Sequence, residues 1–398
     1  MTRTGSQPPG SPHLTEPSPP SPTATAVSRP AAGPAPDPVP DRGRRHRLVL
    51  GLSLLGTVLV GVLVAVQSRI NGDLAAVLVP QAESSSGWRG PAPDGVAAGL
   101  DAALVSFGIG WCLVVAGALA TPRGRRGLRG LVAALRARRL RWWQTLGGVG
   151  GAGFVAAQGI AVPVLGVAVF TVAVVAGVTV GGLLVDRAGL SPNGARPFTA
   201  RRVLGCVLAV GGVGLSVSGS LAGGLTTGAG VAAFVLVLVL ALLVGTATAA
   251  QQAVNGHVAV QARSPWTAGV TNFSAGILFL LLLRLSLVGT VAPAPLPSTW
   301  WSYLSGPIGL SYIVLAAVLV RTLGVLLLSL GNTAGQLVGS LSLDELVPTG
   351  AGRPGAVEVV AAVVIFAAVA LAASRPRRGR VRTGAGPTRA TVPAPPGH

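Results

Sequence analysis

Amide side chains recur with a fixed spacing near the ends of two long apolar runs. Gln67 and Asn71 are followed by glycine in the first run, and Gln251 and Asn255, also followed by glycine, stand 184 positions further on. Amide groups both donate and accept hydrogen bonds, so near the end of a membrane helix they can contact a substrate. They can equally cap a helix or bond one helix to another, which is a structural role. Both interpretations are open on the sequence alone.

These motifs belong to an internal repeat that covers most of the chain. The correspondence continues downstream with shorter offsets, as expected when loops differ in length and helices do not. The matching positions include Val105 with Thr271, Trp142 with Trp300, Gly148 with Gly306, Gly166 with Gly324, and Asp186 with Asp344. The chain is therefore a tandem duplication.

The composition is that of a helical membrane protein. Hydrophobic residues make up 50% of the chain, charged residues make up 10%, and the mean hydropathy is +0.66. The apolar residues fall in blocks of about 20, the length that crosses a hydrocarbon core of about 30 Å. The net charge of +19 comes mainly from arginines in the tails and short connections. Because these do not form a folded basic face, the expected partner is the lipid bilayer and not nucleic acid.

Ten apolar segments are long enough to be membrane spans. Numbered in chain order, they are 48–67, 98–120, 145–162, 164–185, 203–221, 231–250, 267–288, 302–320, 323–341 and 355–373. They predict a disordered cytoplasmic N-terminal tail (1–46), a first five-helix repeat (47–222), a second five-helix repeat (223–373) and a disordered basic C-terminal tail (374–398). An excess of arginine in short loops marks the cytoplasmic side. This rule predicts a cytoplasmic loop at 121–141 and places both termini in the cytoplasm.

Each repeat contains five spans, an odd number, so the second copy must cross the membrane in the opposite sense. The predicted fold class is an all-α polytopic membrane protein whose ten helices form two inverted five-helix repeats. Many secondary transporters use inverted repeats for alternating access. In this topology Gln67 and Asn71 lie toward the outside, and Gln251 and Asn255 lie toward the cytoplasm. The two amide pairs are therefore candidates for symmetry-related gate elements.

Small residues within the spans predict close helix contacts. Gly177 and Gly181 in span four, and Gly335 and Gly339 in span nine, form faces that let two backbones approach each other. We expect these two faces to pair across the axis that relates the repeats. Gln336, beside the second face, is a candidate for a side chain that faces a substrate cavity instead of lipid.

Few charged or metal-binding groups fall inside the spans. Glu358 lies in an apolar run, where a charge costs about 2.5 to 3.5 kcal/mol at the centre of the bilayer. Arg284 is its expected partner, in a structural ion pair or a coupling-ion site, and simple snorkelling of the carboxylate toward the interface is the other alternative. Asn272 is a further polar position, expected to be structural or to contact substrate. The four histidines are scattered and no nucleophile or phosphate-binding motif occurs, so the sequence predicts no metal site, no cofactor and no enzyme.

The order of these motifs resembles the YdcZ-type branch of the drug/metabolite transporter superfamily, which is related to EamA-type permeases. The likeness rests on the Gln and Asn-Gly that end the first helix of each repeat, Val-Ser-Phe at 105–107, the Trp-Trp entry to the third helix and the glycine-rich fourth helix that ends in Asp. It extends over about 48–373. The resemblance implies an exporter in the cell inner membrane, with a small metabolite or amphipathic compound as substrate. Because the two repeats are fused, a monomer would suffice.

One departure separates this chain from the small multidrug exporters of the same superfamily. Those proteins carry a membrane-embedded Glu in their first helix, whereas spans one and six here contain no acidic residue. The resemblance therefore does not imply proton antiport. An alternative function of a different class is a non-transporting membrane scaffold or a lipid-binding partner in an envelope complex.

Overall fold

The fold, taken from a computed structural model, is helical along the residues that it describes. These residues are 42–79, 93–190, 195, 197–222, 228–286, 295–348 and 353–374. The helices are α1 (Arg42–Leu78), α2 (Pro93–Ala120), α3 (Pro122–Arg136), α4 (Gly148–Arg187), α5 (Ala200–Ala222), α6 (Gly228–Ala262), α7 (Pro265–Leu285), α8 (Ser305–Leu346) and α9 (Ala356–Ala373). The predicted disordered tails lie almost wholly outside the described residues, although α1 begins at Arg42.

Seven helices in the described part of the chain are long and apolar enough to cross a membrane: α1, α2, α4, α5, α6, α7 and α9. On α1, Leu48, Leu52, Leu55 and Leu59 are each more than half exposed. Their spacing of three to four residues places them on one face of the helix. A continuous exposed apolar face of this kind is stable in hydrocarbon and unfavourable in water. The protein is therefore a helical, multi-pass membrane protein.

Helix α4 is interrupted at Gly166, where φ is 76° and ψ is 167°. Glycine adopts this conformation because it has no Cβ to clash with the backbone. A straight helix of 40 residues would measure about 60 Å, twice the thickness of the hydrocarbon core. Instead the chain doubles back, since Gly151 lies beside Gln251 and Gly181 lies beside Ala249, both on α6. The sequence predicted two spans here with a turn near Pro163, and the observed break is at Gly166.

Helix α8 doubles back in the same way, against α1. Gly309 lies beside Gln67 and Gly339 lies beside Ala65. These two glycines are 30 residues apart, and a straight helix would separate them by about 45 Å. The chain must therefore reverse between them. We refer to α4 and α8 as the two hairpins.

The first hairpin packs closely on α6 through its glycines. A Cβ added to Gly177 would lie 2.2 Å from the carbonyl oxygen of Leu242 and 3.1 Å from the Cα of Gly245. A Cβ on Gly181 would lie 2.7 Å from the Cα of Thr246. These distances are shorter than van der Waals contact, so the two backbones touch directly along this face.

The second hairpin makes the equivalent contact with α1. A Cβ on Gly335 would lie 2.0 Å from the carbonyl oxygen of Val58 and 3.0 Å from the Cα of Gly61, and one on Gly339 would lie 3.1 Å from Val62. The predicted pairing of span four with span nine is therefore wrong. The glycine faces are used for close packing, but each hairpin packs on the first helix of the other repeat, because that helix supplies its own glycine at the crossing point.

The segment rich in arginine after α2 is a helix, α3, and not the predicted loop. Thr121 caps its N-terminus, with its Oγ1 accepting a hydrogen bond of 3.1 Å from the backbone N–H of Gly124. Gly124, Gly127 and Ala134 form its buried face. With 15 residues it measures about 22 Å, too short to cross the hydrocarbon core. Hydropathy marks this segment only as a connection between spans, because a short helix that carries many arginines contains no long apolar run.

Two phenylalanines pack against each other between the repeats. The rings of Phe107 on α2 and Phe273 on α7 have centroids 5.0 Å apart at an interplanar angle of 56°. The contacts around them are reciprocal: a Cβ on Gly276 would meet the ring of Phe107 at 2.3 Å, and one on Gly110 would meet the ring of Phe273 at 2.5 Å. Each repeat thus offers a phenylalanine and a glycine to the other.

Candidate functional site

The four amide residues of the repeated motif lie within helices and not at helix ends. The helix that carries Gln67 and Asn71 continues to Leu78, and the helix that carries Gln251 and Asn255 continues to Ala262. The predicted span ends were too early because the polar residues after each amide lower the local hydropathy without ending the helix. A role in capping a helix end is therefore excluded for these four side chains.

Asn71 belongs to a buried hydrogen-bonded cluster between α1 and α4. Its Nδ2 donates to Oε1 of Gln158 at 2.7 Å, and Nε2 of Gln158 donates to the hydroxyl of Ser68 at 2.8 Å. Asn71 and Gln158 are fully buried, and Ser68 is nearly so. Gln158 was missed in the sequence, although it is a conspicuous polar residue in an apolar run. It lies in the first arm of the hairpin, which brings it next to α1.

The second amide pair forms a different cluster, between α6 and α7. Nε2 of Gln251 and Nδ2 of Asn255 both donate to Oδ1 of Asn272, each at 2.9 Å. Two donors therefore converge on one acceptor oxygen. Asn272, which was predicted only as a further polar position, is the centre of this cluster.

Each glutamine of the motif also lies against a glycine of the opposite hairpin. Nε2 of Gln67 lies 3.0 Å from where a Cβ of Gly309 would stand, and Nε2 of Gln251 lies 2.8 Å from the equivalent point of Gly151. Gly151 and Gly309 occupy matching positions in the register that pairs Gly148 with Gly306. The same glutamine-to-glycine contact thus occurs in both repeats.

Two carbonyl oxygens in these clusters are left with unused hydrogen-bonding capacity. Oδ1 of Asn71 and Oε1 of Gln251 are buried and have no hydrogen-bond partner within the described part of the chain. A buried carbonyl without a donor is unfavourable by about 1 to 3 kcal/mol. Such groups are suited to accept hydrogen bonds from N–H or O–H groups of a ligand. Nothing in the arrangement resembles a nucleophile and base pair, so binding is the chemistry that it supports.

Gln336 lies on the second hairpin where it packs against α1. Its backbone nitrogen is 2.6 Å from the position of a Cβ on Gly61, and its side chain is half-buried. The contact of its backbone with α1 fixes its position, and its role in substrate binding stays a prediction.

The predicted ion pair between Arg284 and Glu358 is wrong, because Arg284 pairs with a different carboxylate. Nε of Arg284 donates to Oδ1 of Asp101 at 2.7 Å, which links α7 to α2. Glu358 lies in the first turn of α9, where Oε2 accepts a hydrogen bond of 2.8 Å from the backbone N–H of Gly355. The sequence placed Glu358 inside a span, but it serves the helix start, where a carboxylate is favourable. Asp101 was overlooked because it lies close to the predicted start of its span.

Asp344 has a role that the sequence did not predict. It lies three residues beyond the predicted end of span nine, yet it is only 3% exposed. Its carboxylate accepts hydrogen bonds from the backbone N–H groups of Val167 at 3.1 Å and Ala168 at 2.7 Å. These amides begin the second arm of the first hairpin, after the break at Gly166, so they lack partners within the helix. Asp344 therefore joins one hairpin to the other.

The comparisons with known proteins agree with this architecture. A family model described as "Putative inner membrane exporter, YdcZ" matches the chain twice, over residues 95–215 and 236–371. One match falls in each repeat. A search of the curated proteins finds no match. Because the two family matches together cover well over half of the sequence, the chain belongs to the YdcZ family of the drug/metabolite transporter superfamily, a family described as inner membrane exporters.

Proposed function

We propose that this protein is a secondary transporter that exports a small metabolite or amphipathic compound by alternating access. The observation that carries the proposal is the contact of each motif glutamine with the opposite hairpin: Gln67 with Gly309, and Gln251 with Gly151. Two equivalent contacts of this kind give the chain two related places at which it can open. Transporters built from inverted repeats open at one such place while the other is closed.

The proposed architecture has ten spans in two inverted repeats, 47–222 and 223–373, with both termini in the cytoplasm. The reversals of α4 and α8 support this count, because each of these long helices doubles back and so supplies two spans. The arginines between α2 and α4 and at the end of α9 support the orientation. Since one chain carries both repeats, the proposed transporting unit is a monomer in the inner membrane.

The proposed substrate-binding groups are the unused amide oxygens. Oδ1 of Asn71 and Oε1 of Gln251 can accept hydrogen bonds, and the apolar interior around them favours an apolar body. A compound that carries N–H or O–H donors on an apolar frame fits both properties. The amides that now bond to Gln158 and Asn272 would exchange some of these bonds for bonds to the substrate.

Ligand-dependent stability tests this proposal. The purified protein is screened in detergent against metabolites and drugs, because a ligand at a hundred times its dissociation constant stabilises the native state by about 2.7 kcal/mol. Hits are then tested for flux in proteoliposomes. We expect Gln251→Ala to abolish the ligand-induced rise in melting temperature and the flux of a hit compound.

The neighbouring Gln252 provides a matched control, because it is exposed on the same helix. Gln252→Ala should keep both the thermal shift and the flux. Equal loss in the two variants would contradict a role for Gln251 in binding. Binding without flux would instead favour a non-transporting, ligand-binding or lipid-binding role for the protein.

A further inference from the structure

Helix α3 carries an open groove lined by both arginines and apolar side chains. Leu128, Arg129, Val132, Ala133 and Arg136 line it, and its volume is about 510 Å³. Val132 is 46% exposed. The buried face of α3 is on the opposite side of the helix, so the packing of that face turns the groove outward.

The contacts of α3 place it beside the ends of membrane helices. A Cβ on Gly127 would lie 2.4 Å from both Ser264 and Thr267, at the start of α7. Arg125 donates through its guanidinium to the carbonyl oxygen of Leu119, in the last turn of α2, at 2.6 Å. Because α2 and α7 are membrane helices and α3 is too short to cross, α3 lies at the surface of the bilayer. We therefore expect its groove to lie at the depth of lipid head groups.

The charged residues of the segment that carries the groove are all arginines. The segment from Thr121 to Gln144 contains no acidic residue and eight arginines: Arg123, Arg125, Arg126, Arg129, Arg136, Arg138, Arg139 and Arg141. Within the described part of the chain, no carboxylate lies at ion-pair distance from Arg129 or Arg136. Guanidinium groups without a carboxylate partner are suited to bind phosphate through paired hydrogen bonds.

The apolar residues next to these arginines match the rest of a lipid molecule. Leu128 and Val132 line the same groove as Arg129 and Arg136. Trp142 is 72% exposed and follows shortly after the helix, and tryptophan is typical of the boundary between head groups and acyl chains. We propose that α3 binds anionic phospholipid, with the phosphate on Arg129 and Arg136 and the upper part of an acyl chain against Leu128 and Val132.

Lipid binding to the full-length protein tests the inference. Native mass spectrometry in detergent is used to titrate the chain with phosphatidylglycerol and, separately, with phosphatidylcholine. We expect preferential binding of phosphatidylglycerol, and we expect the double variant R129Q/R136Q to weaken it about tenfold or more, since each arginine near a lipid surface lowers the dissociation constant about fivefold. Binding of phosphatidylcholine should not change. No preference for the anionic lipid in the native chain would overturn the proposal.

A second double variant, R377Q/R378Q, removes the same charge from the C-terminal tail. It should retain the preference for phosphatidylglycerol, and an equal loss in both double variants would show that net charge alone attracts the lipid. A measurement without substitutions uses a photoactivatable phosphatidylglycerol on the native chain. Cross-links should concentrate between residues 121 and 146, and cross-links confined to other segments would contradict the inference.

Discussion

Replacing Gly177 with alanine should destabilise the protein by about 1 to 3 kcal/mol or more, because the added methyl group overpacks a helix contact. The methyl carbon would lie 2.2 Å from the carbonyl oxygen of Leu242. That oxygen belongs to the backbone of α6, which cannot move aside as a flexible side chain could. The first hairpin would have to shift away from α6 along the whole contact. The melting temperature of the purified variant in detergent, measured without ligand, should fall by several degrees.

Gly182 gives the control for this substitution. It lies in the same arm of the hairpin, but a Cβ there would meet nothing within 4 Å. Gly182→Ala should leave the melting temperature unchanged or raise it, since alanine is favoured over glycine inside a helix by about 1 kcal/mol. Similar losses in both variants would show that α4 does not approach α6 at Gly177 as described. Gly335→Ala should behave like Gly177→Ala, because the added Cβ would lie 2.0 Å from the carbonyl oxygen of Val58 on α1.

Replacing Asp344 with alanine should cost about 2 to 6 kcal/mol, because two buried backbone N–H groups lose their acceptor and each unsatisfied group costs about 1 to 3 kcal/mol. The two groups are those of Val167 and Ala168. No carbonyl of the preceding turn can replace the carboxylate, since the chain is broken at Gly166. The expected result is a lower melting temperature and faster proteolysis near the break.

The adjacent Glu345 is the control, with 56% of its side chain exposed and only a long contact of 3.9 Å to Arg353. Glu345→Ala should change the stability by about 0.5 kcal/mol or less, as expected for an exposed pair. Asp344→Asn should fall between the two, because an amide retains a single acceptor oxygen. If Asp344→Ala were as stable as Glu345→Ala, the carboxylate would not hold the start of the second arm.

These two sites have a common consequence for the proposed transport cycle. Gly177 controls how closely a hairpin can approach the first helix of the other repeat, and Asp344 joins the two hairpins. Alternating access would require these contacts to change between states. Variants that weaken them without unfolding the protein should therefore alter the rate of flux of an identified substrate more than its affinity.

The duplication, the membrane class and the family could be predicted from the sequence, and each for a local reason. A repeat is visible wherever residue types recur in register, as with Gln67 and Gln251. A membrane helix is recognised in the sequence from its length and apolar content, which do not depend on its neighbours. The family match then follows from the same motifs in both repeats. The use of Gly177 and Gly335 for close helix packing was also predictable, because a run of small residues has little other use inside a span.

The partners of these residues were decided only by the tertiary structure. The sequence predicted contacts of Gly177 with Gly335 and of Arg284 with Glu358. In the fold, Gly177 contacts Leu242, Gly335 contacts Val58, and Arg284 forms its ion pair with Asp101. Gln158 and Asp344 gained their roles because the chain reverses at Gly166 and brings distant segments together. Helix periodicity specifies which face of a helix is small or polar, but it carries no information about which other helix meets that face. That choice depends on the fit of whole surfaces, which exists only once the chain is folded.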